Sequence, residues 1–263
     1  MHHTRWLLLV STLGLGACNG AAATGGIDHD AYSQNSASLV TTESALELSD
    51  DVIGFDPVLV RGNTADQNAM DVETHTRASL TGCGTVTRTG AMLTVDFGSA
   101  GCTTPSGHVV SGSIGVLIGA NAGEATAALT FTSFVLDGTA LSGTLGFRTS
   151  ATTLGVSIDL TSGTSATTTL SGSLTIIATS GAFGLDGVLT STRASTQTTI
   201  AITSLRWTRG ECYPGEGSID ATTGRIEQTM TFTSSTAMTG IVEVSEGPIT
   251  TTQMLPPYGS CPN

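Results

Sequence analysis

Few residues in this chain are able to carry acid–base, nucleophilic or metal chemistry, and their spacing restricts them further. The histidines are His2, His3, His29, His75 and His108. None lies beside a G-x-S-x-G nucleophile elbow, and the many serines follow a regular alternation rather than a strained turn, so no serine-hydrolase site is expected. Asp71, Glu73 and His75 stand at i, i+2 and i+4. On a strand they would share one face, within reach of one divalent cation. Their acidic surroundings fit an exposed polar face better, and no metal is assigned to them. Asp28-His29-Asp30 is a weaker version of the same pattern. No D-x-D-x-D-G calcium loop occurs. Between Ala78 and Arg206 the only acids are Asp96, Glu124, Asp137, Asp159 and Asp186, too sparse to point to a glycosidase pair. Asp96-Phe97-Gly98 lacks the companion loops of a kinase. The chain therefore reads as a non-enzyme without a cofactor.

Two further sets carry binding or covalent chemistry. Trp207, Tyr213 and Tyr258 would gather into an aromatic recognition patch if Cys212 and Cys261 were bonded; the competing reading is an aromatic plug at the end of a sheet. The cysteines are Cys18, Cys83, Cys102, Cys212 and Cys261. Setting Cys18 aside leaves an even number, which in an exported chain suggests two disulfides. Of the three connectivities, Cys83–Cys102 with Cys212–Cys261 is favoured because each pair brackets one compact unit. Chain entropy assigns these about 3 and about 4 kcal/mol. No C-x-x-C spacing supports zinc instead.

Composition narrows the class. The chain has 263 residues, with 9 basic side chains, all Arg, against 21 acidic ones and a formal charge of -12. That charge repels phosphate, so nucleic acid is not an expected partner. Lysine is absent, only 11% of residues are charged and 33 are Gly. Thr and Ser make up roughly a quarter of the chain, far from the composition of a helical bundle. A hydrophobic fraction of 39% is enough to bury a core.

Residues 1–17 have the form of an export signal: Arg5 with His2 and His3, then Trp6–Val10 and Leu13–Leu15, too short to span a bilayer. Leu15-Gly16-Ala17-Cys18 resembles the bacterial lipobox. The resemblance implies that Cys18 becomes the first mature residue and carries the lipid. Each buried acyl methylene contributes about 0.8 kcal/mol, so two or three chains give a lasting membrane anchor. Asn19, where Asp would imply inner-membrane retention, implies the outer membrane. Asn19–Gly26 reads as a flexible tether.

The mature chain divides by composition into a tether and acidic leader over 18–77 and a repetitive β domain over 78–263. Ten of the 21 acids lie between Asp28 and Glu73. One helix is expected in the leader: Ser44 and Glu47 form a capping box, Ala45, Leu48, Val52 and Phe55 recur at helical spacing, and Pro57 stops it or follows its end. From residue 82 the period becomes two. Leu93, Val95 and Phe97 share a face, as do Leu154, Val156, Ile158 and Leu160, while Thr and Ser point outward. Turn pairs such as Thr89-Gly90, Asp137-Gly138, Ser162-Gly163 and Thr223-Gly224 separate about a dozen strands. Their connections are too short for crossover helices, so neighbouring strands are expected to be antiparallel.

The strands repeat. Val110-Ser111-Gly112-Ser113-Ile114 returns as Leu141-Ser142-Gly143-Thr144-Leu145 and as Leu170-Ser171-Gly172-Ser173-Leu174, at an interval that fits two strands and two turns. An inward glycine costs strand stability unless the sheet bends or something packs close, and this row predicts a place where the sheet curves sharply. Leu129–Leu136 matches Ile200–Trp207 in apolarity, with one phase slip that predicts bulges near Ser133 and Ser204. Without Lys, the sheet edges must be covered or closed, and the acidic leader is a candidate cover.

Leu93–Cys102, then Gly107 and Ser111-Gly112-Ser113-Ile114, resemble uncharacterised β-rich bacterial lipoproteins with a "DFG-x-GC…SG-x-I" pattern. Thr130-Phe131, Phe134, Asp137-Gly138, Leu141-Ser142-Gly143 and the later Trp207, Cys212 and Gly217 continue it over roughly residues 80–220. Here Ala100 is an extra residue between Gly98 and Gly101. The resemblance implies fold and export and carries no assignment of function. The expected fold is all-β: a strongly curved antiparallel meander, open or barrel-like, after a short helix or leader. The expected role is a lipid-anchored structural or interaction protein of the envelope, on the outer membrane. The alternative is a carrier of lipid or another hydrophobic ligand, with the concave face as its trough.

Overall fold

The computed structural model describes residues 44–54, 63–121, 124–150, 152–164, 167–178, 181–208 and 211–255. Thirteen strands form one antiparallel meander sheet in sequence order, from β1 (Thr85–Thr89) to β13 (Ile249–Met254). The order has two ends, so the barrel-like alternative is corrected to an open sheet, and the strong curvature expected from the glycines is absent. The chain divides into two units, 44–169 and, among the described residues, 170–255.

The first unit begins with helix α1 over residues 44–53. Ala45, Leu48 and Val52 are buried as the spacing predicts, together with Leu46, Ser49 and Ile53. Ser44 is already helical, so it does not cap by the expected box; Glu47 pairs elsewhere. Gly54, at φ +60, ends the helix with its N–H donated to the Asp50 carbonyl at 2.9 Å. Phe55 and Pro57 lie outside the described residues.

A second helix, α2 (Ala65–Ser79), was not expected. Thr64 closes a capping box with Gln67, at 2.7 Å and 3.2 Å. The buried face of α2 is Asn68, Ala69, Val72 and Thr76, half polar, which hides its period from a hydrophobicity reading. Thr76 Oγ1 donates at 2.5 Å to the Val52 carbonyl of α1 and is also 2.6 Å from the Val72 carbonyl. The spacing of Asp71, Glu73 and His75 is therefore helical, and the one-face strand reading of these residues is corrected.

Six strands follow: β1, β2 (Met92–Thr103), β3 (Val109–Asn121), β4 (Glu124–Leu136), β5 (Thr139–Thr149) and β6 (Thr153–Ser162). The alternation is as predicted. Leu93, Val95 and Phe97 are buried while Met92, Thr94 and Asp96 are exposed. Val156, Ile158 and Leu160 are buried on β6. Cys83 and Cys102 form a disulfide with Cα atoms 5.4 Å apart, tying the approach to β1 to the end of β2. Phe134 meets Phe97 and Phe131 with ring centroids 5.8 and 5.3 Å apart.

The second unit holds most of β7 (Thr168–Ala178), then β8 (Ala182–Arg193), β9 (Thr196–Thr208), β10 (Glu216–Thr223), β11 (Ile226–Phe232), the short helix α3 (Ser234–Thr239), β12 (Ile241–Glu246) and β13. The apolar echo holds: Leu129, Phe131, Phe134 and Leu136 are buried on β4, and Ile200, Ile202, Leu205 and Trp207 on β9. Both predicted bulges are present. Ser133 and Ser204 adopt φ +46 and +49, and strand register shifts beside each.

The repeated glycines sit on β3, β5 and β7. Gly112 and Gly143 have φ +91 and +110, and a Cβ would lie 2.2 Å from the Ser133 carbonyl oxygen and 2.1 Å from that of Asp159. The missing side chain lets a neighbouring strand's backbone approach, so the reading of the row as a sharp bend is corrected. Gly143→Ala should lower unfolding free energy by at least about 2 kcal/mol through strain and overpacking. Gly181→Ala, at a site with open space, should change it by less than about 0.5 kcal/mol. Denaturant melts of the two variants check this.

Candidate functional site

The densest polar constellation among the described residues lies in the first unit, where α1 meets the β2–β3 connection. Thr104 is buried and donates its N–H to the His108 carbonyl at 2.9 Å, while Gly107 N–H returns to the Thr104 carbonyl. This tight loop presents Ser106 and His108. Ser106 donates N–H and Oγ–H to Asp51 Oδ2 at 3.1 and 2.6 Å. His108 Nε2 lies 2.9 Å from Glu47 Oε2 and Nδ1 lies 2.7 Å from Asp137 Oδ2. Asp137 also accepts the Val109 N–H on Oδ1 at 2.8 Å, which fixes it at the turn between β4 and β5. The His108 side chain is only 12% exposed.

The electrostatics follow from this arrangement. The hydrogen bond to Glu47 raises the His108 pKa most, burial opposes it, and Asp137 raises it again, to about 9. His108 is thus an imidazolium at neutral pH, with each N–H donated to a carboxylate. It has no lone pair left for a metal or for proton abstraction. The constellation is a charged strut that clamps α1 to the sheet. Its partners lie far apart in sequence, so no local motif marks it.

Glu73 forms a second strut. Its Oε1 accepts from Arg77 Nη2 and its Oε2 from Arg88 Nε, both at 2.8 Å. Arg88 and then Arg77 hold its carboxyl below the ordinary range. Arg77 also donates to the Val86 carbonyl of β1. His75 Nε2 lies 3.2 Å from the Asp50 carbonyl, and its ring lies 2.8 Å from where a Cβ on Gly54 would be. Asp71 is exposed. Glu73 and His75 thus have separate partners, on β1 and on α1.

The remaining expected residues are placed as follows. Trp207 is fully buried, its ring 5.6 Å from that of Phe183, and its Nε1 has no hydrogen-bond partner among the described residues. A buried ring offers no exposed platform. Tyr213 packs over Gly240, where a Cβ would come within 2.5 Å of its ring. Cys212 is disulfide-bonded. Cys18, Cys261 and Tyr258 lie outside the described residues. Comparison with family models, with curated proteins and with solved structures finds no match to this chain.

The His108 strut has a testable sign. Its pKa rises from 6.5 to about 9 on folding, so its stabilisation is fully present below 6.5 and is lost as pH climbs through about 9. After allowance for screening, wild type should exceed His108→Gln by about 1–2 kcal/mol near pH 6 and lose that margin by about pH 10. Urea melts across that range check it. A margin that does not change with pH would contradict the charged strut.

Proposed function

We propose that this chain is an exported lipoprotein of the cell envelope with a structural or interaction role, related to the uncharacterised β-rich lipoproteins whose motifs it resembles. One observation carries the choice over a ligand carrier: the apolar row that would line a trough is not open. Leu129 and Leu145 are 0% exposed, and Phe131, Val156, Ile158 and Leu160 are 4% or less. A carrier needs such a face accessible to its ligand. The outward positions of the strands are largely Thr and Ser, a surface suited to solvent and to neighbouring proteins. The polar clusters described above are struts with satisfied partners, which supports a non-catalytic role. The anchor proposal rests on Leu15-Gly16-Ala17-Cys18 and its outer-membrane address on Asn19. A net charge of -12 disfavours nucleic acid as a partner.

Two measurements test this reading. Cells fed labelled palmitate should label the wild-type chain and not Cys18→Ala; label retained by Cys18→Ala contradicts the anchor. Native mass spectrometry of the Cys18→Ala protein should give a mass accounted for by polypeptide alone, with no bound lipid. A stoichiometric co-purified lipid would favour the carrier.

A further inference from the structure

The two end strands of the sheet are treated differently. β1 has five residues, and α2 lies against it. Arg77 takes a main-chain carbonyl of β1, and Arg88, within the strand, is held by Glu73. Charge and a covering helix are the usual means by which an edge is kept from pairing. β13 has neither among the described residues. It pairs with β12 from Ile241↔Met254 to Glu246↔Ile249 and is an end strand of the order. Its sequence, Ile249-Thr-Thr-Thr-Gln-Met254, holds no charge, Pro or Gly, and five of its six residues are exposed. Pro248 and Pro256 bound it in sequence, so a further strand added there would be about as short. Beside it, Met254 is 60% exposed, its pairing partner Ile241 42%, and Met238 of α3 77%.

We infer that the β13 edge is a dimerisation site, pairing antiparallel with β13 of a second copy of this chain about a two-fold axis through Thr251 or Thr252. The chemistry favours a second copy over a foreign peptide. At such an axis each residue near the centre faces its own kind or a close neighbour, so one charged residue there would oppose itself. β13 has threonines at its centre and no charge anywhere. With the axis at Thr252, Met254 stands opposite Thr250 of the second copy, which covers part of the apolar surface. Because the β1 edge is guarded, the pairing closes at two copies and does not propagate. The inference is independent of the lipid anchor.

The test uses the full chain carrying Cys18→Ala, which removes the lipid site and leaves the described residues unchanged. Light scattering should give twice the 26.5 kDa chain mass at micromolar concentration. Thr252→Lys should give the single-chain mass, and Thr87→Lys, on β1, should leave the dimer intact. Amide exchange over residues 249–254 of the unsubstituted strand should slow as protein concentration rises. A single-chain mass at every concentration, or a dimer unaffected by Thr252→Lys, overturns the inference. Protection that does not depend on concentration at those amides of 249–254 that point away from β12 also overturns it, because it would mean that the chain covers its own edge.

Discussion

Unpaired main-chain groups at a sheet edge are the constraint to which the rest of this structure responds. A long meander of Thr- and Ser-coated strands leaves a row of donors and acceptors at each end, and this chain has no Lys with which to guard them. At β1 the response is the acidic leader. Three of its described carboxylates make specific contacts. Glu47 meets His108, Asp51 meets Ser106 and Glu73 meets Arg88 and Arg77, so they hold the two helices on the sheet. Part of the uneven charge of the sequence thus has a mechanical meaning: Glu47, Asp51 and Glu73 sit on the cover and each has a partner on the sheet or its loops.

Burial and polar pairing divide the work between them. The apolar residues of α1, with those of β2 to β6, supply most of the stabilisation, since each fully buried Leu, Val, Ile or Phe contributes about 1.5–3 kcal/mol. That term is non-directional and would tolerate a helix sliding on the sheet. The His108 and Glu73 struts are worth less but select one position, because each needs a charged partner at hydrogen-bond distance on another element. The glycines play the corresponding part inside the sheet: they admit close approach of a neighbouring strand's backbone.

The sequence made some of this legible. Strict alternation in Leu93–Phe97 and Val156–Leu160 marks strands with one wet face, and the shared phase slip locates both bulges, because a period of two shows a single inserted residue at once. Cys83–Cys102 was readable because both ends fall beside one hairpin. The rest was hidden for identifiable reasons. α2 buries Asn68 and Thr76 as readily as Val72, so its face has little apolar contrast. The repeated glycines read as a sharp bend, whereas the Ser133 and Asp159 carbonyls, placed by strands that no local pattern fixes, show a close backbone approach instead. His108 has partners 61 and 29 residues away, beyond any local pattern.

The central claim is that α2, held by charge, protects the β1 edge. Hydrogen exchange on the main-chain amides of Thr85–Thr89 tests it most directly, in wild type and in Glu73→Gln. The account predicts slow exchange in wild type and at least about tenfold faster exchange in the variant, with β3 to β5 unchanged, as for a local opening. Equal protection of β1 in both proteins would contradict it.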